Sequence, residues 1–233
     1  MALVLFDIDN TLLDTRTYQT RAYEIMFPEV FGVHGSLDQL PFGGAGGMTY
    51  ENITKIALAN GVSVGEIKNK MSKAQKVLSK SISVLLPGNP TSCLLPGVPS
   101  VLRKLYSKFA LGVLSGNPVS IAGLLLEWAD IRSYFIIEAF GKEGLNRSDL
   151  IKLCIRQYNS IRNVSDQHLN IVMVGDSSSD ILSAKENGIQ AVGVTTGVHT
   201  SVQLRESGAD YTIRTLNDLI GVLGNGPVSR FSE

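Results

Sequence analysis

The chain has 233 residues, which is long enough to bury a large core without disulfides or metal staples. Lys and Arg total 21 and Asp and Glu total 21, and this balance argues against a nucleic-acid partner bound through bulk charge. The chain has only two cysteines, no apolar run near the roughly 18 residues of a membrane helix, and an N-terminus unlike a signal peptide, so we expect a cytoplasmic protein with no membrane partner.

Short apolar runs alternate along the chain with longer amphipathic stretches. The short runs are bounded by Gly, Asp or Ser, and they predict buried strands at 3–6, 109–114, 135–139, 171–174 and 191–194. Between these runs, apolar residues recur with the period of a helix and predict helices at 98–108, 119–128, 148–158 and 181–187. Alternation of helices with continuously apolar strands predicts an α/β fold, with a parallel sheet covered by helices on both faces.

One segment interrupts this alternation. Residues 17–86 contain no convincing strand, and their helical patterns are clearest at 49–59 and 66–78. Proline and glycine then mark the return to the alternating pattern. We therefore predict a helical insertion within an α/β core, followed by a short tail. The predicted units are a core of residues 1–16 and 87–225, an insertion of residues 17–86 and a C-terminal tail of residues 226–233.

Carboxylates follow two of the predicted strands at the point where each strand ends. Asp7 and Asp9 follow the first strand, and Asp176 and Asp180 follow the fourth, where a helix begins. A solvated loop would explain the first pair alone, and helix capping would explain one acid of the second. Carboxyl ends of parallel strands meet at one sheet edge, however, and converging anions require a cation or a proton between them. Because hard oxygen ligands suit Mg²⁺, we predict a magnesium site.

A small polar turn follows the second predicted strand. Ser115, Gly116 and Asn117 stand just before a helix that opens at Pro118. A hydroxyl and backbone N–H groups at a helix start bind anions, although such a turn can also be an ordinary connection. Beside a metal site, the turn predicts phosphate binding. The glycine-rich tract 43–47 of the insertion is either a plain loop or backbone that approaches the ligand.

Taken together, these motifs resemble the haloacid dehalogenase superfamily, on its phosphatase side. That family carries Asp-x-Asp-x-Thr after strand one, Ser or Thr after strand two, a basic residue, and then Gly-Asp-x-x-x-Asp. The matching residues, in the family's order, are Asp7, Asp9, Thr11, Ser115, Asp176 and Asp180. The stretch 47–53 is similar to one in phosphoglycolate-phosphatase-like members, with Tyr50 in place of an Asp. The resemblance implies a Rossmann-like core and a helical cap formed by the insertion.

The resemblance also implies catalytic and metal-binding roles. Asp7 is the expected nucleophile, which forms an aspartyl-phosphate. Asp9 is the expected acid and base, which protonates the leaving oxygen and then deprotonates the attacking water. The carboxylates of Asp7 and Asp176 and the backbone carbonyl of Asp9 are the expected Mg²⁺ ligands. Asp180 is expected to contact the metal ligands rather than the metal itself, or to reach the metal through a bound water.

The substrate phosphate is expected to be held by the turn after the second strand and by one cation. Ser115, Gly116 and Asn117 are the expected phosphate contacts, together with backbone N–H groups at Ile8 and Asn117 or nearby. Thr11 is expected to order the loop that carries Asp7. The family's basic residue has two candidates here, Arg147 and Lys142. Arg147 is preferred because it directly precedes the helix predicted from residue 148, and a guanidinium suits phosphate.

Several functions remain open at this point. Asp9 favours phosphate ester hydrolysis over dehalogenation, because attack on carbon needs no acid at that position. A phosphomutase similar to β-phosphoglucomutase would keep the same residues, and so would a catalytically inactive phosphate-binding module. A receiver-type signalling domain is disfavoured by the insertion and by the late acidic motif. The expected partner is a small phosphorylated metabolite, such as phosphoglycolate, a sugar phosphate or a nucleoside monophosphate, bound by a monomer or a homodimer.

Overall fold

The sheet is central to the architecture. The computed structural model describes residues 2–162 and 170–225. Its strands are β1 (Leu3–Phe6), β2 (Ala110–Ser115), β3 (Ile137–Phe140), β4 (Ile171–Gly175), β5 (Gln190–Val194) and β6 (Tyr211–Ile213). They form one parallel sheet in the order β3-β2-β1-β4-β5-β6, which is the Rossmann order. The central strand β1 lies between β2 and β4, with Phe6 opposite Val113 on one side and Val174 on the other.

Helices cover both faces of this sheet. They are α1 (Arg16–Phe31), α2 (Thr49–Ala59), α3 (Val64–Leu85), α4 (Val98–Tyr106), α5 (Val119–Trp128), α6 (Arg147–Arg162), α7 (Ser178–Glu186), α8 (Ser201–Glu206) and α9 (Leu219–Asn225). Side chains of β1 alternate between two apolar clusters, because successive residues of a strand point to opposite faces. Val4 and Phe6 belong to one cluster, and Leu3 and Leu5 belong to the other. In the described part of the chain, no helix is long and apolar enough to cross a membrane.

The predicted α/β fold with a parallel sheet and helical insertion is confirmed. The edge strand β6 was not predicted, because it has only three residues and its Tyr211 is partly exposed. The strand predicted at 135–139 starts later, because residues 132–134 form a 3₁₀ turn in which Phe135 N–H donates to the Arg132 carbonyl at 3.0 Å. The tail predicted at 226–233 lies outside the described residues.

The insertion consists mainly of α1, α2 and α3, and α1 packs along α3. Its apolar interior is continuous with one face of the sheet, because one cluster holds Phe27, Ile53 and Leu78 together with Val4 and Phe6. The boundaries predicted at 16/17 and 86/87 fall next to the start of α1 and the end of α3. The division of the chain into two domains stays a prediction.

Truncation of Leu78 tests whether this shared cluster stabilises the fold. Leu78 is fully buried in α3, so Leu78→Ala removes buried apolar surface and leaves a cavity. We expect the free energy of unfolding to fall by about 2–5 kcal/mol in urea titrations. The same change at the exposed Leu58 of α2 is the control, and it should cost less than about 1 kcal/mol. Equal losses in the two variants would contradict a shared core at Leu78.

Candidate active site

The site lies where the central strands end. Asp7 follows β1 directly, and its backbone N–H donates to the Val174 carbonyl of β4 at 3.0 Å. This bond sets Asp7 beside the end of β4, where Gly175 leads into Asp176. The parallel register therefore brings the two acidic motifs together at the carboxyl edge of the sheet, as the sequence predicted.

Arg147 is the first residue of α6, and its buried guanidinium connects two of these acids. Its Nη2 lies 2.6 Å from Oδ1 of Asp7, and its Nε lies 2.9 Å from Oδ1 of Asp180, without hydrogen-bond geometry in the second case. The other oxygen of Asp180 accepts from the backbone N–H of Ser177 at 3.1 Å and from its hydroxyl at 2.6 Å. Asp180 thus caps the start of α7 while it holds Arg147 in place.

Burial dominates the protonation behaviour of these groups. Burial raises the pKa of Asp7 well above its usual range, and the opposing charge of Arg147 does not cancel this effect. Burial and the neighbouring Asp180 charge raise the pKa of Asp176 to about 8. Burial by itself would lower the pKa of Arg147, but the carboxylates of Asp180 and Asp7 outweigh it and keep the guanidinium charged. The acids therefore need more positive charge than Arg147 alone supplies.

The acid cluster fits a divalent cation. Asp7, Asp176 and Asp180 each offer a carboxylate oxygen within 4.8 Å of the others. Three carboxylates and one guanidinium leave a formal charge of −3 + 1 = −2. Oδ2 of Asp176 is buried and has no hydrogen-bond partner among the described residues. Oxygen donors with this charge suit a hard divalent ion such as Mg²⁺. The carboxylate of Asp9 lies outside this cluster, and metal binding by its backbone carbonyl stays a prediction.

Both carboxylate oxygens of Asp9 accept hydrogen bonds. Oδ1 accepts hydrogen bonds from the Gln19 amide and, at 3.4 Å, from the Thr15 hydroxyl, both at the start of α1. Oδ2 accepts from Nδ2 of Asn117 at 2.8 Å. Burial raises the pKa of Asp9, and the hydrogen bond from Gln19 opposes this shift. A carboxyl group with a raised pKa and a fixed orientation suits proton transfer in both directions.

The turn after β2 differs in detail from the expected phosphate site. Gly116 and Asn117 line the cavity above the acids, but the buried Ser115 is not among its lining residues. The Asn117 backbone N–H donates to Oγ of Ser115 at 3.1 Å, so it is not free for phosphate as we had expected. The Asn117 side chain is directed to Asp9 instead. Sequence spacing finds such a turn but does not give the direction of its side chains.

Two other residues of the predicted substrate site, Thr11 and Lys142, also lie apart from the cavity. Thr11 is fully buried, and its hydroxyl has no hydrogen-bond partner among the residues described. Its backbone N–H donates to the Ile8 carbonyl at 3.3 Å, which agrees with a role in shaping the loop after β1. Lys142 is exposed and does not line the cavity, whereas Arg147 does. Of the two basic candidates, the structure brings only Arg147 to the acids.

The insertion closes the site from above with residues that no motif had marked. Arg16 and Gln19 line the cavity from one face of α1, three residues apart. The glycine-rich tract 43–47 lines the cavity as well. This supports the interpretation that the backbone of this tract approaches the ligand. A Cβ atom at Gly116 would collide with the carbonyl oxygen of Gly47, so backbone touches backbone at this contact. Glycine is required there because no side chain fits.

Further contacts hold the insertion against the core around this cavity. The Thr49 N–H donates to the Gly116 carbonyl at 3.0 Å, and the Tyr50 hydroxyl donates to Glu143 at 2.9 Å. Phe42 packs on the ring of the buried His199 with 4.6 Å between ring centroids. The cavity has a volume of about 60 Å³. The structure therefore shows the insertion docked on the core around a small cavity.

Thermal unfolding with and without Mg²⁺ tests the metal site without any assay of activity. Because Mg²⁺ would bind only the folded protein, saturating Mg²⁺ should raise Tm by on the order of 5 °C. Asp176→Asn should abolish most of this shift, because it removes one charged ligand oxygen. Asp130→Asn, at an exposed surface position, should keep the full shift. The same Tm with and without Mg²⁺ in the unmutated protein would contradict a magnesium site.

The chain is similar over nearly its whole length to known phosphatases. It is 25% identical to "Probable phosphatase IndB" of Dickeya dadantii, with 97% of this chain and 98% of that protein covered. It is 26% identical to a phosphoglycolate phosphatase of Synechococcus elongatus, with 94% and 96% covered. Among solved structures, the fold is similar to a β-phosphoglucomutase from Clostridium difficile, with a TM-score of 0.71, 18% identity and 94% and 93% of the two chains covered.

The family profile described as haloacid dehalogenase-like hydrolase matches residues 4–194, from β1 to the end of β5. This range includes both acidic motifs, Arg147 and the whole insertion. The resemblance drawn from the motifs is therefore confirmed, and the chain belongs to the haloacid dehalogenase-like hydrolase family.

Proposed function

We propose that the protein is a Mg²⁺-dependent phosphatase that hydrolyses a small phosphate monoester through an aspartyl-phosphate on Asp7. The observation that carries this proposal is the placement of Asp7. It lies at the carboxyl edge of the sheet, held by Arg147 at 2.6 Å, within a three-carboxylate cluster and below a cavity that it helps to line. The phosphatase relatives agree with this chemistry. A cytoplasmic location and a monomeric or dimeric state remain predictions.

The proposed reaction has two steps. A carboxylate oxygen of Asp7 attacks phosphorus, the bond from phosphorus to the ester oxygen breaks, and Asp9 gives its proton to the leaving oxygen. Asp9 then takes a proton from water, whose oxygen attacks the phosphorus of the aspartyl-phosphate. The bond from phosphorus to the Asp7 oxygen breaks, which releases inorganic phosphate and regenerates the Asp7 carboxylate. Arg147 fixes one oxygen of Asp7 and offsets its charge. A Mg²⁺ held by Asp7 and Asp176, with Asp180 behind them, would neutralise charge on the phosphoryl oxygens.

The substrate side of the proposal rests on the cap. Two cationic side chains, Arg16 and Arg147, are among the lining residues of the cavity, and Arg147 is already paired with two acids. Arg16 is held loosely, since its Nη1 donates to the Phe42 carbonyl at 3.2 Å and its Nη2 lies 3.8 Å from the exposed Asp38. A guanidinium in this position complements a carboxylate on the leaving group. We therefore propose a small phosphorylated acid, of which phosphoglycolate is the simplest example, as the preferred substrate class.

A panel of phosphate monoesters tests the reaction class. We expect the protein to release phosphate from at least one of phosphoglycolate, glycerol 3-phosphate, glucose 6-phosphate, a nucleoside monophosphate and 4-nitrophenyl phosphate, and only with Mg²⁺. Asp7→Asn should lower kcat by at least about 10³-fold, because the nucleophile is lost. Asp14→Asn, an exposed acid in the same segment, should retain activity.

Two other outcomes of this panel would contradict hydrolysis. Transfer of the phosphoryl group to a second hydroxyl of the sugar, without phosphate release, would indicate a phosphomutase. Phosphate binding with no turnover of any ester would indicate an inactive binding module.

Substitution of Arg16 tests the substrate class. Arg16→Met keeps a long side chain but removes the charge, so KM for phosphoglycolate should rise by roughly 10-fold or more. Hydrolysis of 2-hydroxyethyl phosphate, which has a hydroxymethyl group in place of the carboxylate, should change less than about threefold. Arg21→Met is the matched control, because Arg21 is exposed on the same helix and pairs only with Glu24 among the described residues. Equal effects of Arg16→Met on the two esters would exclude recognition of a carboxylate.

A further inference from the structure

We propose that Thr49 and Asn117 form a positioning pair that makes proton transfer by Asp9 depend on docking of the insertion. The inference rests on the proposed phosphatase reaction and assigns a further role within it. Thr49 is the first residue of α2 in the insertion, whereas Asn117 lies in the core after β2. Both side chains are more than nine-tenths buried. Neither would contact phosphorus in the proposed reaction, so their effect passes through Asp9.

The pair forms a continuous chain of hydrogen bonds from insertion to acid. The Thr49 hydroxyl donates to Oδ1 of Asn117 at 2.6 Å. Nδ2 of the same amide donates to Oδ2 of Asp9 at 2.8 Å. The Asp9 carboxylate only accepts, so the amide nitrogen of Asn117 faces it and Oδ1 is left for the Thr49 hydroxyl, which donates to it. Without Thr49, the amide loses the second of the two bonds that hold its position.

The pattern of bonds around Asp9 shows why Asn117 matters more than its neighbours. A carboxylate has about four acceptor positions, two on each oxygen. Oδ1 already accepts from Thr15 and Gln19, whereas Oδ2 accepts only from Asn117 among the described residues. The remaining acceptor position is therefore on Oδ2. Asp9 lines the cavity, so this is the oxygen that would exchange a proton with the leaving group or with water. Asn117 holds that same oxygen.

Docking of the insertion makes this chain possible. The Thr49 backbone N–H donates to the Gly116 carbonyl at 3.0 Å, so the first residue of α2 is bonded to the core twice. An N–H group in the first turn of a helix has no partner inside the helix, and here the core supplies one. If the insertion moved away, both bonds would break and Oδ1 of Asn117 would lose its partner. Asp9 would then keep Thr15 on Oδ1, lose Gln19 together with α1, and be held on Oδ2 by an amide that Thr49 no longer positions.

The test compares esters that differ in their need for an acid. Expulsion of 4-nitrophenolate needs little protonation, whereas an alkoxide leaving group needs a well-placed proton donor. Thr49→Val keeps the shape of the side chain and removes the hydroxyl. Under single-turnover conditions, it should slow release from the alkyl ester that wild type hydrolyses fastest by about tenfold, and release from 4-nitrophenyl phosphate by less than about threefold. Thr49→Ser should restore the rate for the alkyl ester.

Thr54→Val is the matched control. Thr54 lies on the same helix, and its hydroxyl donates to the Tyr50 carbonyl of α2 itself at 2.8 Å. Both valine variants should show similar Tm values, and Thr54→Val should hydrolyse both esters at wild-type rates. Equal losses for the two esters in Thr49→Val, or no loss for either, would overturn the positioning role while the phosphatase function stands. Failure of wild type to hydrolyse any ester would overturn the proposed function, and this inference with it.

Discussion

The contact of Arg147 with Asp7 and Asp180 is the interaction on which the site depends. Burial of several carboxylates at one sheet edge is costly unless positive charge accompanies them. Arg147 supplies one such charge from the start of α6, at 2.6 Å from Asp7 and 2.9 Å from Asp180. The cluster keeps a formal charge of −3 + 1 = −2, which matches a divalent cation. Arg147 thus joins the proposed nucleophile, the candidate metal site and the start of α7 in one buried unit.

The sequence predicts the position of those site residues that directly follow a strand. Asp7 and Asp176 could be predicted because each follows an apolar run directly, and parallel strands end at one edge. Gln19 and Thr49 could not, because they reach the site only through docking of the insertion, for which local periodicity carries no signal. Asn117 was found as part of a turn, but its side chain bonds both Asp9 and Thr49, which is 68 residues away in the sequence.

The insertion and the core meet through two kinds of contact with different physical consequences. Apolar packing between α1–α3 and one sheet face is extensive and belongs to a single cluster. Near the cavity the contacts are few and mostly polar: backbone at Gly47 and Gly116, the Thr49 and Tyr50 bonds, and the Phe42 ring on His199. The second group can separate at low cost, since each contact is one hydrogen bond or one ring face. The cavity can therefore open while the apolar contacts between α1–α3 and the sheet stay packed.

The cavity is small while the insertion is docked. Its volume of about 60 Å³ is well below the 300–1,000 Å³ typical of ligand pockets, so the docked insertion leaves little room beyond the reacting groups. Closure then excludes bulk water and strengthens every electrostatic contact inside. With the insertion docked, Asp9 accepts from Asn117 at 2.8 Å, and Arg16 lines the cavity. In the proposed reaction the core would therefore supply the phosphoryl chemistry, and docking of the insertion would set when it proceeds and for which leaving group.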